Sequence, residues 1–228
     1  MERYVLEADK EEIEAAFGVG SKSEVMFESN YNVMPGNVMP VIIKEDGQNN
    51  IVRMKWGLKN SSDSEVRPEI ESEQISDSPE WNNKIEQQAC IIPASGFYKW
   101  KETVEDPLPF YLRVISDDVT GFAGVYSSYK DENGRSVRSF AILTMPANAL
   151  VEPLDDRMPV ILKSNEYEKW INGHGTSLIQ KEFNADNLLP HMTVFRVPEL
   201  VNDPSNNSKE LIQPIPKLRN YDGADDDG

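Results

Sequence analysis

Cys90-Ile91-Ile92-Pro93-Ala94-Ser95-Gly96-Phe97-Tyr98-Lys99-Trp100 is the stretch on which the fold turns. Its apolar, β-branched and aromatic residues read as strands at 89 to 92 and 96 to 100. Working outward, Val38 to Ile43 and Asn50 to Trp56 are two more strand-like runs, and Glu45-Asp46-Gly47-Gln48-Asn49 between them has the composition of a hairpin turn. Further strands are expected at 109 to 115, 121 to 126, 138 to 144, 158 to 162 and 192 to 197, with a turn at Asp131 to Arg135. Helical spacing occurs at 9 to 17, behind Asp9 as a cap and ahead of Gly18 and Gly20, and helices are also predicted at 165 to 170 and 177 to 183. Many short strands with a few peripheral helices predict an α+β domain with a largely antiparallel sheet or barrel core.

Composition narrows the function classes. A chain of 228 residues with 39% hydrophobic residues fits one domain, assigned to 1–218. Its 23 Lys and Arg against 39 Asp and Glu give a formal charge of −16, a field that repels polyanions and favours a protein partner, basic or DNA-associated, over DNA. The single cysteine, Cys90, excludes an intramolecular disulfide framework, and its apolar setting is that of a buried thiol. Two histidines, His174 and His191, with no second cysteine leave no Cys/His zinc site, so neither metal nor cofactor is predicted. The first nine residues are charged from the second onward and lack the apolar run of a signal peptide, which predicts a nuclear or cytoplasmic location and no membrane partner. Residues 59–80 hold seven acidic residues against Lys59 and Arg67, and are expected to form a mobile solvated loop; the acidic tail 219–228 is expected to be disordered.

Several phrases, in order, carry a resemblance. They are Tyr31-Asn32-Val33-Met34-Pro35, Trp56-Gly57-Leu58, Arg67-Pro68-Glu69, the stretch from Cys90 to Trp100, Phe140 to Asn148, Asp156-Arg157-Met158-Pro159-Val160-Ile161-Leu162, and Val201-Asn202 through Glu210-Leu211-Ile212. Their order and spacing resemble the SRAP family of SOS response-associated peptidases and abasic-site DNA crosslinkers, which is similarly marked by WGL, NARxE, C-IPA-GFYEW and H-RMPVIL. The resemblance implies an SRAP-like fold. It also implies a chemistry in which an N-terminal Cys captures the open-chain aldehyde of an abasic site, beside an Asn, a proton-moving Glu and a His.

Carried over position by position, the Cys falls on Glu2, the Asn on Glu65, the Glu on Lys99 and the His on Asp155. All four differ from the family. The expectation is therefore a pseudoenzyme, in which Lys99 sits between Glu65 and Asp155 as an ion-pair network, serving as a protein-interaction module in a nuclear DNA- or chromatin-associated complex. Two alternatives accompany it. One is a non-covalent binder of single-stranded or abasic DNA in the DNA damage response, using Pro35, Trp56, Gly57 and Arg67. The other is residual Schiff-base chemistry through Lys99.

Overall fold

A computed structural model describes residues 3–19, 25–60, 65–76, 78–181 and 191–216. In chain order the strands are β1 (Tyr4–Leu6), β2 (Asn30–Val33), β3 (Val38–Glu45), β4 (Gln48–Trp56), β5 (Glu69–Glu71), β6 (Ala89–Ala94), β7 (Gly96–Lys101), β8 (Leu108–Val114), β9 (Thr120–Lys130), β10 (Ser136–Pro146), β11 (Arg157–Pro159), β12 (Ile161–Leu162) and β13 (Met192–Arg196). The helices are α1 (Lys10–Phe17), α2 (Ser72–Ser76), α3 (Pro79–Gln88), α4 (Tyr167–Lys169) and α5 (Gly175–Lys181).

One sheet runs β11-β10-β4-β3-β6-β9-β12, and β9 also pairs with β10 from Lys130↔Ser136 to Gly124↔Ile142. That extra ladder closes β10, β4, β3, β6 and β9 into a five-stranded barrel. Pairing is antiparallel except where β4 and β5 lie parallel to β10. Alternation sorts the side chains: Met54 and Trp56 of β4 are buried whereas Arg53 and Lys55 are exposed. The Trp56 ring stacks on Phe140 of the neighbouring strand, with centroids 6.4 Å apart and planes 8° from parallel. The second sheet runs β13-β8-β7-β1-β2.

The chain changes sheets inside the stretch from Cys90 to Trp100, since β6 belongs to the barrel and β7 to the second sheet. Ser95 at the crossing donates its N–H to the Val5 carbonyl (2.7 Å), and its hydroxyl accepts from the Glu7 N–H (3.0 Å). Gly96 follows because a Cβ there would lie 2.5 Å from both the Leu112 carbonyl and the Tyr111 hydroxyl. Cys90 is wholly buried, burial pushes its thiol pKa up, and its carbonyl accepts the Trp170 indole N–H (2.8 Å).

The 45–49 hairpin forms as expected, with Glu45 opposite Gln48 and both Asp46 (φ 52°) and Gly47 (φ 75°) left-handed. Helix α1 is closed at its start by a reciprocal cap between Asp9 and Glu12 (2.9 and 2.8 Å) and at its end by left-handed Gly18. The helix expected at 165–170 is instead a 3₁₀ turn, Ser164–Glu166, running through α4 into a π turn at Trp170–His174. The segment 59–80 departs from the irregular loop expected of it: β5 pairs along β10, and α2 and the start of α3 follow. Alternation explains β5, because Ile70 points inward between half-buried Glu69 and exposed Glu71. Residues 61–64 of that segment, residue 77 and the tail 219–228 lie outside the described residues, as does Glu2.

Candidate functional site

Lys99 is the one lysine of the described chain that the fold takes fully inside, at 3% exposure. Strand β7 carries it, opposite Phe110 of β8, and its ammonium lies 2.6 Å from the Asp155 carboxylate. Among the described residues Asp155 is its single ion-pair partner.

The turn before β11 aims Asp155. Asn148, 1% exposed, accepts the N–H groups of Leu150 and Val151 on its side-chain oxygen (3.1 and 3.2 Å), and the Val151 carbonyl accepts the Asp155 N–H (3.1 Å). Asp155 Oδ1 then accepts the Arg157 N–H (2.8 Å), which leaves Oδ2 for Lys99. Burial alone would raise this carboxyl's pKa. The hydrogen bond from Lys99 and that from the Arg157 backbone outweigh burial and hold it below the ordinary aspartate value.

Arg157 anchors the same corner. Its guanidinium forks onto Glu73 of α2 (2.8 and 2.9 Å) and donates to the Thr144 carbonyl (2.7 Å). The Glu73 pKa is drawn down to about 2, chiefly by that hydrogen bond.

A second cluster reaches β7 one residue on. Arg3 donates to the Asn32 side-chain oxygen (3.1 Å) and to the Val201 carbonyl, and its guanidinium lies 5.4 Å over the Trp100 ring. Asn32, 3% exposed, donates to the carbonyls of Val201, Asp203 and Asn206, and Trp100 donates to the Asn202 side chain (2.7 Å). The Arg3 carbonyl accepts the Tyr98 N–H (3.1 Å), so the first described residue lies beside the strand that carries Lys99.

Of the residues singled out in the sequence, Lys99 and Asp155 meet. Glu65 does not complete a three-member network with them: its carboxylate holds Arg67 (2.6 and 3.0 Å) near the surface. Trp56 and Gly57 are corrected as DNA contacts. Trp56 is 0% exposed, and its indole N–H is taken by the Pro68 carbonyl (2.8 Å), so no base can stack on it. Gly57 is buried and its N–H goes to the Phe140 carbonyl (2.9 Å); its φ of 117° and a Val66 methyl 2.7 Å from where a Cβ would stand explain the glycine. Pro35 stays exposed in the Met34–Asn37 turn. Asn32, Asn148 and Arg157 are not among the residues singled out in the sequence, although each stands inside a quoted motif.

A model of the SOS response associated peptidase (SRAP) family matches residues 2–204, and the chain belongs to that family. It is 30% identical over 226 residues to the abasic site processing protein YoqW of Bacillus subtilis, covering 92% of this chain and 98% of that one. The abasic site processing protein HMCES of Xenopus tropicalis is 21% identical over 83% of this chain and 67% of its own length. A crystal structure of a Bacteroides thetaiotaomicron protein shares the fold, with a TM-score of 0.79 at 21% identity over 94% of this chain and all of that one. These relatives overturn the expectation that the chain is not an enzyme. Bacterial and phage proteins at 29 to 30% identity are named for processing abasic sites, and the loss expected from the four carried-over positions does not outweigh that kinship. There is a physical reason as well, since Lys99 and Asp155 are an amine and a carboxylate in contact, a pair with chemistry of its own.

Proposed function

We propose that this chain acts on abasic sites in DNA, within the DNA damage response, and that the Lys99 amine captures the open-chain sugar aldehyde. The supporting observation is the buried Lys99 with its one carboxylate partner, Asp155, 2.6 Å away and itself about one-third exposed. An amine needs a base to become a nucleophile, and Asp155 is within reach to take its proton. The neutral amine adds to the aldehyde carbon to give a carbinolamine. Its hydroxyl leaves as water with the proton returned by Asp155, and a protonated imine remains; attack by water reverses the sequence. Cys90 offers no competing thiol, being buried with a raised pKa.

Substrate that excludes water from the pair favours passage of the ammonium proton to the carboxylate, since two neutral groups lose less on desolvation than two charges. Borohydride reduction in the presence of an abasic single-stranded oligonucleotide tests the reading. The wild type should form a covalent adduct that Lys99→Ala lacks; no adduct, or one that survives the substitution, overturns it. A non-covalent hold on single-stranded DNA is the second reading, favoured by Pro35 and Arg67 at the surface.

A further inference from the structure

Cations without carboxylate partners gather on one outer face of the barrel, in a chain whose net charge is −16. Lys55 points outward from β4 opposite Ser139, and Ser139 stands opposite Ser127 of β9, so these three share a face. Arg53, two residues back along β4, shares it too. The Ser139 hydroxyl accepts the Lys59 N–H (3.0 Å), and the Lys59 ammonium lies 5.2 Å over the ring of Tyr129. Asn60 gathers a fourth cation: its side-chain oxygen accepts from both Lys84 of α3 (3.0 Å) and the Ser127 hydroxyl (2.9 Å).

Arg53, Lys55, Lys59 and Lys84 have no ion pair among the described residues; other cations of the chain share that property, and what sets these four apart is the register of β4, β9 and β10 and the Asn60 contact that bring them to one face. Among the described residues, Glu45 and Glu80 leave the four unpaired. Glu45 is bound to Arg138 (2.7 Å), and Glu80 acts on Lys84 only through space. Burial pulls the Lys84 pKa below the ordinary lysine value, partly offset by Glu80, so this ammonium lacks the solvation that an anionic oxygen would supply.

We propose that the face formed by Arg53, Lys55, Lys59 and Lys84 binds the phosphate backbone of DNA, away from the Lys99–Asp155 pair. Ser139, opposite Lys55, lies seven residues along β10 from Pro146, which pairs with Arg157 beside that site. That is about 23 Å of strand, so the face would hold nucleotides flanking a lesion and not the lesion itself. Its place as a flank contact rests on the reading of abasic-site processing; its affinity for phosphates does not.

Fluorescence anisotropy with an undamaged single-stranded oligonucleotide, titrated from about 50 to about 200 mM salt, is the test. Each phosphate contact contributes about 0.7 to the slope of log affinity against log salt for single strands, so Lys55→Gln with Lys59→Gln should lower that slope by about 1.4, a roughly sevenfold smaller affinity loss across the titration. Lys10→Gln with Lys209→Gln removes the same charge from paired lysines elsewhere and should leave the slope at the wild-type value. An unchanged slope in the first variant, or an equal drop in both, overturns the proposal. Borohydride trapping by the first variant on an abasic oligonucleotide at saturating protein should match wild type. Lost trapping in Lys99→Ala with an intact salt slope separates failure of the face from failure of the amine.

Discussion

Removing either member of the Lys99–Asp155 pair should have unequal consequences. Asp155→Ala strands an ammonium whose side chain is 4% exposed, whereas Lys99→Met strands a carboxylate that is 37% exposed and already held by the Arg157 backbone N–H. Breaking a wholly buried pair costs about 3–5 kcal/mol; because water reaches Asp155, we discount this to about 2 kcal/mol for Asp155→Ala. Lys99→Met should cost under about 1 kcal/mol, since methionine is close to the lysine stem in length and volume. For a chain of this length about 2 kcal/mol lowers Tm by roughly 4–8 °C. Thermal unfolding of both variants and the double variant at neutral pH measures the asymmetry. The folded Asp155 carboxyl titrates below its ordinary value, so its stabilisation is complete above about pH 4 and fades as the pH falls through its folded value; the Asp155→Ala deficit should shrink in acid. Equal losses from the two single variants, or a deficit independent of pH, would refute the reasoning.

Glu73 titrates at about 2 in the folded chain against an ordinary 4.5, so the stability it lends through Arg157 is full above pH 4.5 and is lost as the pH falls toward 2. Its side chain is half exposed, which limits the effect to about 1 kcal/mol; Glu73→Gln should lower the neutral-pH Tm in low salt and converge on wild type near pH 2, and a constant gap would exclude this ion pair as the source. Asn32→Ala removes the donor shared by three carbonyls and should cost about 2–3 kcal/mol in denaturant unfolding, with faster hydrogen exchange at the Tyr98 amide, and a cost under about 0.5 kcal/mol would show that water replaces the amide without loss.

Legibility in the sequence followed how strongly each element patterns its own residues. The β3–β4 hairpin, α1 and the two strands of the 90–100 stretch announce themselves through turn glycines, a capping Asp9 and continuous apolar runs. Helix α3 does not: Pro79 to Gln88 buries only Ile85, so no apolar period marks it. Strand β1 is three residues long, and β5 has a single inward residue between glutamates, too short for alternation to be visible. At the site, Lys99 and Asp155 were brought together by the family resemblance. The pairing of Glu65 with Arg67 follows from proximity alone, because a contact two residues apart on the surface competes with any long-range partner and costs little chain entropy.

Barrel closure has a consequence for how the chain assembles. The parallel ladder of Lys55–Trp56 with Ser139–Phe140 joins segments 84 residues apart, so the ring cannot be completed by zipping neighbouring hairpins. Until β10 arrives, the hairpin of β3 and β4 presents an unpaired edge with Met54 and Trp56 uncovered, a template on which a second chain can add a strand. Folding should therefore be slow for a chain of this size and sensitive to protein concentration, whereas the finished barrel offers no such edge.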